Sequence, residues 1–563
     1  MENNSILSPV MIWSGFRLKY PLQPMKTSEE VFDNVIYSEV YFSGRETKDG
    51  RVRIFGMLAK SRALKKGTRN AGILILPDAS MTVDLTNLVK GYVQQGYVVF
   101  LVDYKGKVNP HDNCTQYPKC ISYANYASSG RTMDYCDHSA KDTCWYEWVS
   151  VAKYALGFLR SQPDMASVGV IGIGTGADIG WQLCSTEAGE VECFIPLFCA
   201  GGRAYKGYYK NDPEDMPMND ERVKYLAGVD SSAYSQYMNV PTFFLTATNS
   251  TVGDIERSLD SLSRVPEKTP VYQNFTPRAR DVLDIDCKRD IDLFLAKYLL
   301  GFNVEIPKEP RIVVKLEDKR LLFSVEEDDY ETNEVKKVTA YVAEGSIDPA
   351  FRFWSELKPA VKVDGKQAFK YVISSSCPFV SVFAVVNYKN GFTLSTNLVT
   401  KSLTPIDYPK ENILFSGKNG IESVCPYELK EKAEAGLFYT NEIPISLYEG
   451  DGKIKGVTSD GAMIFYRFNP TVFKLHENSL LKMDVIGIDH CVLKITVVTE
   501  KLGATTDHSI SVTVRRGGIW KDVLLKLSEF KSEQNRSIED YGSIVALKLY
   551  SDVKFAVNNI LVI

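Results

Sequence analysis

The stretch GVIGIGTGADIGWQL, residues 169–183, decides how the chain is read. An apolar run, Val168 to Ile173, passes through glycines at 172, 174 and 176 into a segment with helical spacing. A buried strand that turns at once into a helix needs small residues at the corner, because the two backbones approach closely there. In the frame G-x-nucleophile-x-G, such a corner presents a reactive side chain beside the first amides of the helix. Gly172, Ile173, Gly174, Thr175 and Gly176 fill that frame, and its centre, Gly174, has no side chain to attack anything. Two other readings stay open. Gly172, Gly174 and Ala177 also spell the G-x-G-x-x-A outline of a dinucleotide-binding turn, and the glycines could be purely structural. The dinucleotide outline lies after several strand-like runs, and Glu192 precedes the next apolar run instead of ending a second strand as a ribose ligand should.

Working outward, residues 28 to 302 alternate strand-like and helix-like segments. Val31 to Phe42 and Arg51 to Ala59 read as paired strands around a turn at Gly44 to Gly50. Ala71 to Leu76, Tyr97 to Val102, Val168 to Ile173 and Pro241 to Thr246 are short apolar runs suited to buried parallel strands. Helices are expected over Leu85 to Gln95, over Trp145 to Arg160, and over CKRDIDLFLAKYLLG, ending at Gly301. Trp145, Trp148, Val149, Ala152, Leu156 and Leu159 recur at helical intervals and read as a packed face. After the linker FNVEIPKEP the pattern changes to strands alone. Arg311 to about Thr400 has the length and strand density of an immunoglobulin-like sandwich. After SLTPIDYPKEN, repeated strand candidates run to Ile563, and their number favours a two-sheet jelly roll. The expected fold class is therefore multidomain: an α/β sheet at residues 1–305, an all-β sandwich at 306–405 and an all-β jelly roll at 406–563.

AGILILPDA, GYVVFLVDYKG and VGVIGIGTGADIGWQL, in that order, resemble the α/β-hydrolase superfamily, in particular dienelactone-hydrolase-like and acyl-esterase-like proteins. The resemblance covers residues 71–302, about half the chain. It implies a nucleophile after the fifth strand, an acid after a later strand and a histidine in a late loop. The nucleophile maps to Gly174. The acid would follow VPTFFLTA, where Thr248, Asn249 and Ser250 stand and Asp254 is the first carboxylate. The histidine would follow KTPVYQNF, but no histidine lies between residues 139 and 475. A triad needs a base within hydrogen-bond reach of its nucleophile, so ordinary Ser-His-acid turnover is expected to be absent. Thr175 reads as a helix-capping residue and Asp178 as a complement to the helix dipole. A remnant pocket is expected beside Asp78 and Ala79, with backbone amides doing the binding, and Tyr205, Tyr208 and Tyr209 are placed near its mouth.

HDNCTQYPKCISYANYASSGRTMDYCDHSAKDTC gathers His111, Cys114, Cys120, Cys136, His138 and Cys144, all residue types that bind zinc. Their spacing does not give two close pairs, so the leading expectation is an insertion with free or packed thiols, with no metal and no cofactor. The chain has 563 residues, 44 % hydrophobic and 24 % charged, with a formal net charge of -4. With no dense Lys/Arg run, nothing suggests a nucleic-acid partner. MENNSILSPVMIW lacks a basic segment leading into an apolar run, and no stretch is long enough to cross a bilayer. Eleven cysteines, an odd number with seven between Cys114 and Cys199, fit reduced thiols. The expectation is a cytoplasmic protein without a membrane partner, its oligomeric state left open.

GDGKIKGVTSDGAMIFYRF, GGIWKDVLLKLSEF and IEDYGSIVALKLY resemble the jelly-roll modules of carbohydrate-binding proteins. Trp520, Tyr541 and Tyr550 are available for a sugar surface, although Trp520 reads first as a packing residue. The resulting expectation is a catalytically degenerate α/β-hydrolase-like protein that binds a carbohydrate or glycoconjugate. One alternative is an esterase acting through a non-standard site, with His111 or His138 as base and Thr175 or water as nucleophile. The other is a structural or protein-interaction scaffold.

Overall fold

The computed structural model describes residues 9–19, 21–64, 67, 69–80, 85–107, 113–203, 210, 217–317, 320–326, 334–344, 349, 352–357, 361–363, 366–373, 379–403, 413–417, 425–426, 437–438, 445–459, 461–465, 474–488, 490–501 and 504–563. After a short helix α1 (Pro9–Trp13), the stretch expected as one strand from Val31 to Phe42 is divided between β1 (Met25–Phe32) and β2 (Val35–Thr47). The break is at Asp33 and Asn34, whose φ angles are 49° and 63°. Asp and Asn accept left-handed backbone more readily than other residues with a Cβ, and two such positions in a row make a tight hairpin turn. β3 (Gly50–Ser61) completes the meander.

The chain continues through β4 (Asn70–Leu76), α2 (Thr86–Gln94), β5 (Val98–Asp103), α3 (Cys144–Arg160), β6 (Met165–Ile173), α4 (Thr175–Thr186) and β7 (Cys193–Leu197). It then runs through α5 (Asp220–Gly228), β8 (Thr242–Ala247), α6 (Ile255–Ser263), β9 (Val271–Thr276) and α7 (Ile285–Leu300). The nine strands form one sheet in the order β1-β2-β3-β5-β4-β6-β7-β8-β9. It is antiparallel as far as the β3–β5 pair and parallel from β5 to β9. Apart from the extra edge strand β1, this is the strand order of an α/β-hydrolase sheet.

Helices cover both faces, as buried parallel strands require. Trp148 of α3, Trp181 of α4 and Leu262 of α6 share one core, while Leu88 of α2 and Ile291 and Phe294 of α7 share the other. The six α3 residues singled out by spacing are all buried, and the Thr143 side chain caps the helix by accepting from the Tyr146 amide.

Beyond 302–310 all described sheets are antiparallel. In the middle part, Arg311–Glu317, Arg320–Glu326, Lys366–Val372 and Val361–Val363 form one sheet in that order. Phe353–Leu357, Val335–Glu344, Phe379–Tyr388 and Thr393–Ser395 form the second, with Val399–Ser402 also pairing Phe379–Tyr388. The two sheets pack as a sandwich through Leu321 and Phe323 on one and Val338 and Val382 on the other. The C-terminal part has two six-stranded sheets in a jelly-roll-like arrangement, with Met483, Val485 and Val557 of one sharing a core with Leu493, Ile495 and Leu547 of the other.

The sandwich lies against β9, the last strand of the α/β sheet. The Phe275 N–H donates to Ser395 Oγ at 2.9 Å, and Gln273 Nε2 donates to Glu309 Oε1 at 2.6 Å and to Asn397 Oδ1 at 3.1 Å. An edge that would otherwise offer unpaired backbone groups is thereby covered.

Candidate active site

The parallel strands β4 and β6 are neighbours, but the helices that follow them, α2 and α4, pack on opposite faces of the sheet. The C-terminal ends of β4 and β6 therefore form a topological switch point, the place where ligands bind in open α/β sheets. β6 ends at Ile173, after Gly172 pairs with Pro196 of β7, and the chain turns at Gly174 with φ 53° and ψ -114°. This is backbone that L-residues avoid, held here by the Gly174 N–H donating to the Leu197 carbonyl at 3.0 Å. At Gly176 the helix passes so near β4 that an added Cβ would overlap the Leu76 carbonyl oxygen. The corner thus has the geometry of a nucleophile elbow.

The side chain of Asp78, from the loop after β4, lies over this corner. Its Oδ2 accepts from the Thr175 N–H at 2.7 Å and from Thr175 Oγ1 at 3.0 Å, while Oδ1 accepts from the Ser80 N–H at 2.7 Å and from Ser80 Oγ at 2.6 Å. The amide following the nucleophile position is the donor that an elbow offers to an oxyanion, and here an internal carboxylate takes it. A Cβ added at Gly174 would lie 2.0 Å from Asp78 Oδ2 and 2.8 Å from Val252 Cγ1. The absent side chain and the inward carboxylate are two parts of one arrangement.

Asp78 points its carboxylate inward, with Ala79 buried beside it. One expectation is corrected here. Thr175 does not cap α4, whose cap position is Gly174; its hydroxyl donates to Asp78.

The loops that would carry an acid and a base point elsewhere. After β8, Thr248, Asn249 and Ser250 are buried, and Asn249 Nδ2 donates to the carbonyls of Arg352 at 2.6 Å and Pro349 at 3.2 Å. Asp254 caps α6, accepting from the amides of Glu256 at 2.9 Å and Arg257 at 3.1 Å, and burial raises its pKa. After β9, Arg278 adopts φ 63°; its N–H donates to Thr248 Oγ1 and its Nε to the Trp354 carbonyl, both at 2.8 Å. Asp281 joins the two loops, accepting from Ser250 Oγ at 2.9 Å, the Thr251 N–H at 3.0 Å and Thr251 Oγ1 at 2.9 Å. Sequence reading missed this pair because it searched the first loop for a carboxylate and the second for an imidazole.

Asp178 does more than complement a dipole. Its buried carboxyl accepts from Ser231 Oγ and, at 3.3 Å, from Cys199 Sγ, and burial pushes its pKa up to about 6 despite those donors.

The cysteine-rich insertion is dispersed. Cys120 Sγ donates to Thr47 Oγ1 at 3.4 Å, Cys144 Sγ to the Thr132 carbonyl at 3.5 Å, and the Cys136 N–H to Glu221 at 3.3 Å, while the Cys114 N–H donates to the Tyr41 hydroxyl at 3.3 Å. None of the four is in a disulfide; burial pushes Cys136 up to about 11 and Cys144 to about 12. His138 is exposed. Among the described residues no group of three or more His, Cys, Asp or Glu side chains is placed to hold a metal ion. His111, Tyr205, Tyr208 and Tyr209 lie outside the described residues. No described helix is long and apolar enough to cross a membrane.

No protein-family model matches the chain, and no curated protein matches it. Among solved structures, an acetyl xylan esterase from Paenibacillus sp. R4 is 13 % identical, with 50 % of this chain and 90 % of that one covered at a TM-score of 0.38. Acetyl xylan esterase 1 from Thermoanaerobacterium sp. JW/SL YS485 is 14 % identical, with 50 % and 88 % covered and a TM-score of 0.36. The α/β hydrolase GrgF from Penicillium sp. sh18 is 13 % identical, with 47 % and 99 % covered and a TM-score of 0.32. These likenesses are distant and concern the hydrolase-type fold; the fold assignment itself rests on strand order and the elbow.

Proposed function

We propose that this protein is a catalytically degenerate α/β-hydrolase-like scaffold that works by binding. The observation that carries this reading is the Asp78 carboxylate over Gly174, bonded to the Thr175 amide. An oxyanion arriving there would meet a negative charge where a donor is required, and the nucleophile position offers no atom to form an acyl bond. The test is a panel of short acyl esters, lactones and acetylated sugars given to the purified full-length chain. We expect hydrolysis no faster than in a Thr175→Ala variant. Turnover that falls on Thr175→Ala or His138→Ala, with melting unchanged, would replace this reading by an esterase with a non-standard site.

For the ligand we infer a carbohydrate or glycoconjugate, on the strength of the jelly-roll-like C-terminal part. Tyr550 is its most open aromatic among the described residues, 43 % exposed, with its hydroxyl donating to Asp552 Oδ1 at 2.7 Å. A glycan-array screen of the full chain followed by calorimetry on parent and Tyr550→Ala tests this. A second reading, a structural or protein-interaction scaffold without a glycan ligand, is favoured by the use of Asn249 and Arg278 to dock the middle sandwich. Absence of binding across diverse glycans by the folded chain would put that reading first.

A further inference from the structure

Two loops meet on the C-terminal part. One, residues 450–454, joins strands Ile445–Glu449 and Lys455–Ser459; the other, residues 515–520, leads from Ala504–Val514 into Lys521–Lys526. The indole of Trp520 holds them together. A Cβ added at Gly450 would lie 2.6 Å from its Nε1 and one added at Gly456 would run into its Cη2, so the ring rests against backbone at both glycines. Tyr448 meets it edge-on, with centroids 6.1 Å apart at an interplanar angle of 79°. Arg516 pairs with Gly487, fixing the second loop to the sheet.

With Trp520 turned to the sheet, its neighbours are left outside. Ile519 is 60 % exposed and Ile454 45 %. Lys453, Lys455, Arg515, Arg516 and Lys521 on the same two segments are all exposed. The acids on the same segments are Glu449, opposite Lys455 in the strand register, Asp451 in the first loop, and Asp522, 3.3 Å from Lys482, so the five cations outnumber them. In a chain whose formal net charge is -4, this is a local excess of cations around two bare aliphatic tips.

Single exposed isoleucines are ordinary. Two on adjoining loops whose segments carry five exposed cations combine groups that partition to a lipid–water interface. Lys and Arg gain from anionic headgroups, aliphatic tips gain from the acyl boundary, and the two contributions act together. A polyanionic glycan would use the cations but offer nothing to Ile454 and Ile519. We propose that this pair of loops docks the protein reversibly on an anionic lipid surface, with Ile454 and Ile519 entering the interface and the cations facing headgroup phosphates. This is a surface contact, which needs no spanning helix, and it stands independently of the fate of the elbow.

The test is co-sedimentation of the full-length chain with vesicles of phosphatidylserine and phosphatidylcholine, compared with phosphatidylcholine alone. We expect binding to the mixed vesicles, about tenfold or more weaker on the neutral ones, and lost at about 0.5 M salt, where screening is strong. Ile454→Ser with Ile519→Ser should weaken binding about tenfold, and Lys453→Glu with Arg515→Glu should abolish it, both with an unchanged melting temperature. Failure to bind the mixed vesicles overturns the proposal. So does binding that is indifferent to the isoleucines and matched on heparin, which would assign the loops to a polyanionic glycan.

Discussion

Replacing Gly174 by Ala tests the account of the elbow more directly than any activity assay. Two costs are expected. The backbone at φ 53° and ψ -114° is strained for any L-residue, worth about 1–3 kcal/mol. The new Cβ, 2.0 Å from Asp78 Oδ2 where ordinary contact begins at 3.4 Å, must also drive the carboxylate away from Thr175 and Ser80. Giving up charge-assisted bonds in a buried crevice adds about 2–3 kcal/mol. Gly174→Ala alone should therefore cost about 3–6 kcal/mol. Asp78→Ala alone loses a cap-like carboxylate at the start of α4, about 1–2 kcal/mol. In the double variant the collision with the carboxylate is gone and only the 2.8 Å approach to the Val252 Cγ1 methyl remains, so Gly174→Ala on an Asp78→Ala background should cost mainly the backbone share. The pair should then fall short of additivity by about 2 kcal/mol. Urea unfolding followed by tryptophan emission reads this in the α/β part, where Trp148 and Trp181 are fully buried. Costs that add within about 0.5 kcal/mol would show that Asp78 and Gly174 do not share the space as described.

Asp178 titrates at about 6 instead of the ordinary 3.8 because it is buried. A carboxyl raised in the folded state supports folding below its ordinary value and loses that contribution as pH rises through about 6. The contribution is worth about 3 kcal/mol, at roughly 1.36 kcal/mol for each tenfold change in proton affinity. Asp178→Asn keeps an acceptor for Ser231 and Cys199, so it should be more stable than the parent at pH 8 but not at pH 4; equal slopes of stability against pH would refute this. Arg352, buried in the sandwich, pairs with Glu256 of α6 at 2.7 Å. Arg352→Ala leaves that carboxylate buried without its partner and should cost about 3–5 kcal/mol, with Glu256→Gln recovering part of it; faster cleavage within 302–310 under limited proteolysis is the readout. Thr175→Val removes a hydroxyl but keeps the amide that holds Asp78, so unfolding should shift by only about 1 kcal/mol; a loss several times larger would mean that the hydroxyl carries the arrangement.

Most of the α/β sheet was legible because its strands are continuous apolar runs and its helices carry a 3.6-residue pattern. The hairpin at Asp33 and Asn34 was not, because period-2 alternation passes smoothly through a two-residue turn. The frame around Gly174 was legible as an elbow without a nucleophile, since glycine spacing reports backbone approach directly. What occupied the vacant space was not. Asp78 is 96 residues from Gly174 in the chain, and whether a loop carboxylate turns inward depends on donors such as the Thr175 amide, which exist only after β4 and β6 pair. The same holds for Asp178, whose partners Ser231 and Cys199 come from separate segments. The strand-rich halves were legible as sandwiches, but the role of Trp520 against Gly450 and Gly456 required their register.

Asp78 and the loops that hold the sandwich bear on one another. In an α/β-hydrolase arrangement the loops after the nucleophile, acid and base strands must leave polar groups unspent, ready for a substrate. Here the loop after β6 spends its amide on Asp78, the loop after β8 spends Asn249 on the sandwich, and the loop after β9 spends Arg278 on Trp354 and the Leu283 N–H on the Leu437 carbonyl, 2.7 Å away. Each bond satisfies a group that would be costly to bury bare. Reversing either of the last two disturbs the other, because Asn249 and Arg278 hold the same sandwich and Thr248 bonds Arg278. On the proposed reading, restoring a serine at 174 would therefore leave an elbow with its oxyanion donor taken and its base loop committed to another domain, and it would cost stability without returning turnover. The groups that could have served chemistry now hold the α/β sheet and the appended sandwich in a fixed mutual position.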